Sequence, residues 1–197
     1  MGKSEETRNY IIEKAAPIFN RHGYEGTSMA RLTKAIDMTK GAIYGNFKDK
    51  NEIAIAAFDH NFSNIIKQIR AMVGQKENAN DKLIAFANFY LEQYQEISQN
   101  GGCPILNAAV DSDFVHPGLK KRVSAALDTW MNSVARIIYD GIKRGEINRN
   151  TRPEQFASVF VSLIEGGIML SRTTGSTTHL SRNIDHITYL VNSELRV

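Results

Sequence analysis

A single cysteine, Cys103, stands in the 197-residue chain, which excludes an internal disulfide framework and any zinc site built from several cysteines. An uninterrupted apolar run of membrane-spanning length is lacking too, because the most apolar stretch, residues 156–170, carries Glu165 and two glycines. The opening residues, Met1-Gly2-Lys3-Ser4-Glu5-Glu6, are acidic where a secretory signal needs an apolar segment. Glu6 also occupies the position where a myristoylation signal has Ser or Thr. These absences predict a soluble, cytoplasmic protein with no membrane partner. What remains is 42% hydrophobic and 23% charged, a globular composition that excludes intrinsic disorder and supplies a sizeable core.

Net charge is small, +3, but unevenly placed. Residues 1–50 hold nine Lys and Arg against six Asp and Glu, whereas residues 51–197 hold fifteen of each. A basic module on a neutral body suits a polyanion-binding head on a regulatory body, although a solvated surface can carry the same excess.

Hydrophobic periodicity is helical almost throughout, with no strand-like alternation. Residues 5–22 place Ile11, Ile12, Ala15, Ala16 and Phe19 on one face, with Gly23 as the C-terminal stop and a kink expected at Pro17. Thr27 or Ser28 caps a short helix to Ile36, and Asp37-Met38 forms a tight turn. Thr39 then caps another short helix ending near Asn46. Asp49 and Glu52 read as a capping box opening a long helix to Val73. Further helices are expected over residues 81–98, 105–110, 117–144, 153–170 and 180–195. The predicted fold is all-α with about nine helices: a three-helix helix-turn-helix head at residues 1–50, and a larger body at residues 51–197.

Two short helices around a tight turn, preceded by an amphipathic helix, follow helix-turn-helix grammar. Leu32, Ile36, Met38 and Ile43 can pack the pair together and onto Phe19. Thr39, Lys40, Gly41, Ala42, Tyr44, Gly45 and Asn46 are then left to face outward. Small residues let such a helix sit deep in a major groove, Lys40 can reach a base or a phosphate, and Tyr44, Lys50 and Thr27 can bond phosphates. The same residues would also serve as plain solvated helix ends.

The stretch Gly23-Tyr24, Thr27-Ser28, Leu32, Ile36 and then residues 39–53, with Tyr44, Phe47 and Lys50 at three-residue spacing, resembles the DNA-binding head of TetR-family transcriptional repressors. The resemblance covers residues 7–53. It implies a homodimer on a palindromic double-stranded operator, and a helical body whose occupancy by a small-molecule effector weakens DNA binding. It also implies base-edge contact from Lys40, Gly41, Tyr44 and Gly45, with phosphate contact from Thr27, Asn46, Lys50 and the backbone of Ala42, and it places Ser28 and Thr39 among the DNA-binding residues. Three residues depart from the family pattern: Asp37 replaces the usual turn glycine, Pro17 lies inside the first helix, and Gly45 replaces a larger side chain.

In the body, residues 156–170 are apolar nearly all round, which requires burial on two sides. Val159, Leu163, Gly166 and Gly167 from that helix, with Ile184, Ile187 and Val191 from the last, read as half of an intermolecular four-helix bundle about a two-fold axis. Burial within one chain is the other reading. Phe86, Phe89, Tyr90, Cys103, Asn107, Trp130, Met131 and Met169 are the candidate lining of an apolar effector pocket, and no charged cluster announces an ionic ligand. The alternative to a hydrophobic effector is electrophile or redox sensing through Cys103, since helix N-termini lower thiol pKa. Neither an enzyme nor a cofactor or metal protein is expected. Cys103 with His116 lacks an orienting partner, and Asp111, Asp113 and His116, or His179 and His186, read as loop and surface polarity.

Overall fold

The structure is a computed structural model that describes residues 2–112 and 116–197. Among the described residues there are ten α-helices, a closing π-helical turn and no strand; a lone antiparallel bridge joins Ile147 to Arg196. The chain divides into two compact units, one of residues 1–65 and 100–126, the other of residues 66–99 and 127–197. The expected head, residues 1–50, lies wholly in the first unit.

Helices α1 (Lys3–His22), α2 (Met29–Ile36), α3 (Lys40–Tyr44) and α4 (Lys50–Val73) begin and end where local chemistry dictates. Gly23 stops α1 with φ +70° and donates its N–H to Phe19 O at 2.8 Å. Ser28, not Thr27, caps α2 by accepting from Arg31 N. Asp37 takes the left-handed turn conformation, φ 57° and ψ 45°. The Thr39 hydroxyl accepts from Ala42 N and starts α3, which closes at Tyr44, two residues before the expected end. At α4 Glu52 N donates to Asp49 Oδ1, while the Glu52 carboxylate accepts from Lys48 N, one residue further out than a standard capping box. Pro17 lies within α1, which continues through it.

The head's core is Ile11, Ala15, Ala16, Phe19, Leu32, Ile36, Ile43 and Phe47, continued by Ile53, Ala54 and Ala57 of α4, with Met38 packed at its edge. Also in this unit are α7 (Pro104–Ser112) and the start of α8 (Pro117–Lys143).

In the second unit the stretch expected as one helix divides at Gln93 into α5 (Ala79–Glu92) and α6 (Tyr94–Gln99). Asn78 caps α5, which begins two residues before the expected start at Asp81, and its side chain accepts from Asp81 N. Helices α9 (Pro153–Thr174) and α10 (Thr178–Leu190) fold back on each other, and the chain closes in the π-turn Val191–Leu195. At Gly167 an added Cβ would meet Leu180 Cα at 3.0 Å, so this glycine permits the close crossing of α9 and α10. Ser171 Oγ accepts from Leu180 N and Asn183 Nδ2 donates to Leu163 O across the same pair. Gly141 plays a similar part on α8, where a Cβ would lie 2.6 Å from that of Ala79.

Helix α9 departs from the expectation that no segment reaches membrane-spanning length. Despite Glu165 and its glycines, it is long and apolar enough to cross a membrane by length and composition, with a window of mean hydropathy 1.2. Within the protein 44% of that window is buried, and a buried core helix meets the same criterion.

Candidate functional site

The outward surface of α3 is built from small and polar residues. Thr39, Lys40, Gly41, Ala42, Tyr44 and Gly45 are all exposed, while Ile43 points into the core. A Cβ added at Gly41 would meet nothing within 4 Å, so the fold has no steric need for glycine there. At Gly45 a Cβ would make only ordinary contacts, 3.4 Å to Ala42 O. The Lys40 ammonium lies 5.7 Å from the centre of the Tyr44 ring, so the two form one cationic-aromatic patch.

Other predicted contact residues are placed less simply. Ser28 is exposed, its hydroxyl used as the α2 cap. Asn46 is half-buried, with its amide donating to Ala42 O. The Lys50 ammonium sits 4.0 Å over the ring of Tyr24, which fixes that cation. Tyr24 itself donates its hydroxyl to Asn51 Oδ1, and its pKa is raised by burial first and by the nearby Glu25 and Asp49 carboxylates second. Thr27 corrects the sequence expectation. It is 0% exposed and its hydroxyl donates to Gly23 O at 2.7 Å, because it is needed to close the turn between α1 and α2. Its side chain cannot reach a phosphate from there.

Arg8 is the residue that sequence reasoning missed. Its guanidinium donates to Asn46 O at 2.6 Å, just past α3, and to Glu52 Oε1 at 2.7 Å at the start of α4, while lying 4.1 Å over the Phe47 ring. It thus ties the end of α3 to the cap of α4. Glu52 is held below its usual carboxylate pKa, first by the Lys48 N–H and next by Arg8. Replacing Arg8 with Ala is expected to lower the unfolding free energy by about 1 kcal/mol, a modest value because both charged partners are partly exposed and screened. Urea unfolding of variant and parent measures it, and coincident curves would show that this clamp contributes nothing.

The last turn of α1 is bound to residues 100–111 within the same unit. Asn20 Nδ2 donates to Asn100 O and Gly102 O, Asn107 Nδ2 donates to Asn20 O at 3.0 Å and Gly101 O at 2.8 Å, and Tyr24 N donates to Asp111 Oδ2. Gly101, φ +101°, passes so close that a Cβ would fall 2.9 Å from the Asn20 backbone.

The predicted effector residues separate. Asn107 is committed to these bonds, which corrects its expected role in lining the effector pocket. Cys103 is 4% exposed, just before α7, and in no disulfide. In the second unit Phe86 meets Phe160 edge-on at 5.6 Å, Phe89 meets Tyr90 at 5.2 Å, and Tyr90 lies against Trp130 at 5.4 Å. Met131 is half-buried on α8. Met169 is 49% exposed on α9, a surface position and not a pocket lining. Phe86 also lines an open cleft between α4, α5 and α8. Of the residues considered for metal binding, Asp113 lies outside the described residues; among the described ones no group of three His, Cys, Asp or Glu side chains is close enough to share an ion.

The expected dimer residues also divide. Gly167, Ile184, Ile187 and Val191 are buried inside the single chain, where α9, α10 and the π-turn pack together, so they are corrected from interface to core. The surface left over carries Val159, 43% exposed, half-buried Leu163, Gly166 and exposed Leu170 in one stripe along α9. Tyr189, 63% exposed, stacks on His186 along α10.

A capped two-helix turn with one solvated face of small residues defines a helix-turn-helix protein, here joined to a helical body. Residues 11–57 match the family described as bacterial regulatory proteins, tetR family, and residues 79–187 match the tetracyclin repressor-like C-terminal domain. A crystal structure of a TetR-family transcriptional regulator from Cytophaga hutchinsonii superposes with TM-score 0.95 at 33% identity, covering 100% of this chain and 98% of that one. The HTH-type transcriptional repressor DhaR of Mycobacterium sp. (strain GP1) is 22% identical over 82% of this chain and 80% of its own length. A cysteine-substituted CifR, a TetR-family regulator complexed with 26-base-pair operator DNA, shares the fold at TM-score 0.84 and 17% identity, covering 92% and 94% of the two chains. The chain belongs to the TetR family of transcriptional regulators.

Proposed function

We propose that the protein is a ligand-responsive repressor that binds a palindromic operator as a homodimer and releases it when a small effector occupies the body. Residues 1–50 form the reading head and residues 51–197 the effector-binding and dimerisation part. The observation that carries this reading is the α3 surface: six solvated residues, two of them glycines, with Lys40 and Tyr44 side by side among them. Lys40, Gly41, Tyr44 and Gly45 would meet base edges, while Ser28, Thr39, Asn46 and Lys50 would meet the backbone. Two copies joined through the α9 stripe would set the heads about 34–36 Å apart, one helical turn of DNA. CifR, which shares the fold, was crystallised on operator DNA, and that supports the same use of the head here.

Effector control is supported by two features. Trp130 is fully buried in the second unit, and its indole N–H has no acceptor among the described residues, which costs about 1–3 kcal/mol unless something accepts it. In the first unit, the bonds of Asn20, Asn107 and Asp111 tie the end of α1 to residues 100–111, so a shift of that segment would be felt by the head.

A mobility-shift titration on DNA upstream of the protein's own gene tests the reading. Salt-sensitive binding of an inverted repeat is expected, and binding that ignores sequence would overturn it. Lys50→Ala should weaken binding and reduce the slope of log K against log salt by about one, since it removes one cation from the phosphate backbone. A slope equal to the parent's would mean that Lys50 does not touch that backbone.

A further inference from the structure

We propose that the cleft between α4, α5 and α8 binds an amphipathic carboxylate: a small molecule with one acid group and an acyl body. The proposal rests on the reading of the protein as an effector-controlled repressor, and replaces a purely hydrophobic effector with an anionic amphiphile. All of its residues belong to the second unit.

The cleft has a volume of about 410 Å³, in the range of small-molecule sites. Its floor is apolar. Ile66, Ile69 and Val73 follow one face of α4 at spacings of three and four, and Phe86 and Ile137 close it from α5 and α8. The rim is cationic: Arg70, Lys82, Arg136 and Arg144 surround it against one carboxylate, Asp140. Arg144 is already engaged, giving two bonds of 2.8 and 3.0 Å to Glu146. That bond first, and the Ala79 N–H second, hold the Glu146 carboxyl down at about 2, with Lys82 contributing. Arg70 and Arg136 are different. No ion pair or hydrogen bond engages either of them among the described residues.

An apolar floor and unneutralised cations are poorly served by the same solvent. Water suits the guanidinium groups and not the isoleucines, whereas a neutral hydrophobe suits only the floor. An acyl chain ending in a carboxylate satisfies both, and guanidinium groups offer paired donors that match a carboxylate's two oxygens. The charge pattern therefore selects the head group, and the floor selects the tail.

Calorimetric titration of the full-length protein with decanoate, octanoate, decan-1-ol and acetate tests the site. Decanoate is expected to bind at least about tenfold more tightly than decan-1-ol, and acetate not measurably. Shortening to octanoate should cost roughly fourfold per methylene removed. The double variant Arg70→Gln with Arg136→Gln changes two exposed side chains, so helicity should be retained while decanoate affinity falls about tenfold or more and decan-1-ol is unaffected. Equal affinity for acid and alcohol, undiminished decanoate binding by the double variant, or no binding of decanoate would each overturn the proposal. Release of operator DNA is scored separately. Decanoate bound without DNA release keeps the site and overturns its regulatory role. Release by an uncharged compound, with decanoate unbound, overturns the site and leaves the repressor reading standing.

Discussion

Gly166→Leu is expected to convert the protein to a monomer and reduce operator affinity by about a hundredfold or more, while leaving its helical content intact. The position lies on α9 in line with Val159, Leu163 and Leu170, and a Cβ built there meets nothing within 4 Å. A mid-helix glycine costs about 1 kcal/mol relative to Ala, and no close contact among the described residues offsets that cost. A second copy crossing at this point would, because a backbone-to-backbone approach needs the missing side chain. Leucine would hold the two copies apart. Each head would then bind its half-site alone, without the gain of roughly 10²–10⁴ that comes from joining two sites. Sedimentation and far-UV circular dichroism decide it: a helical monomer is the expected result, and an intact dimer removes this stripe from the interface. Gly167→Leu is the contrasting variant. Its side chain would strike the Leu180 backbone, so that protein should lose stability itself, by about 1–3 kcal/mol or more.

That contrast marks how far the sequence could be read. Gly166 and Gly167 look alike in a sequence, and both suggest a close crossing; only the built helices show that one crossing, with Leu180, is internal and the other side is open. Ile184, Ile187 and Val191 differ from expectation for a related reason. An apolar stripe shows that a helix buries one face but not whether the cover belongs to its own chain. The capping chemistry, by contrast, is legible because it is local: Ser28, Asp37, Thr39 and Asp49 each act within a few residues of themselves. Arg8 is illegible because its partners, Asn46 and Glu52, lie 38 and 44 residues away. Thr27 shows the opposite error. A threonine beside a helix start reads as a free hydroxyl, but the turn closes over it and takes that hydroxyl for Gly23 O. The cleft rim escapes sequence reading because Arg70, Lys82 and Arg136 come from three separate helices, and no window of sequence brings them together.

Gly41→Leu should leave the thermal unfolding midpoint at or slightly above the parent's and weaken specific operator binding by about thirtyfold or more. The second residue of α3 is solvated, and an added Cβ is free of contact, so leucine there meets no obstacle within the protein and improves on glycine as a helix former. Against DNA the balance reverses. The major groove is about 12 Å wide, and a helix enters it closely only where its side chains are short. Forcing about four extra carbons into a packed interface costs about 1–3 kcal/mol, and a dimer meets that cost at each of two half-sites. The sum, roughly 2–6 kcal/mol, is at least about thirtyfold in affinity. Salt dependence separates this effect from the removal of a phosphate-binding cation. Gly41→Leu weakens binding with every cation in place, so its residual slope should equal the parent's, whereas Lys50→Ala should flatten it. Gly41→Ala should fall between parent and leucine variant, because one methyl group intrudes less than an isobutyl. Binding of Gly41→Leu at parental strength would place α3 away from the groove wall, and the solvated glycines of this short helix would then need another explanation.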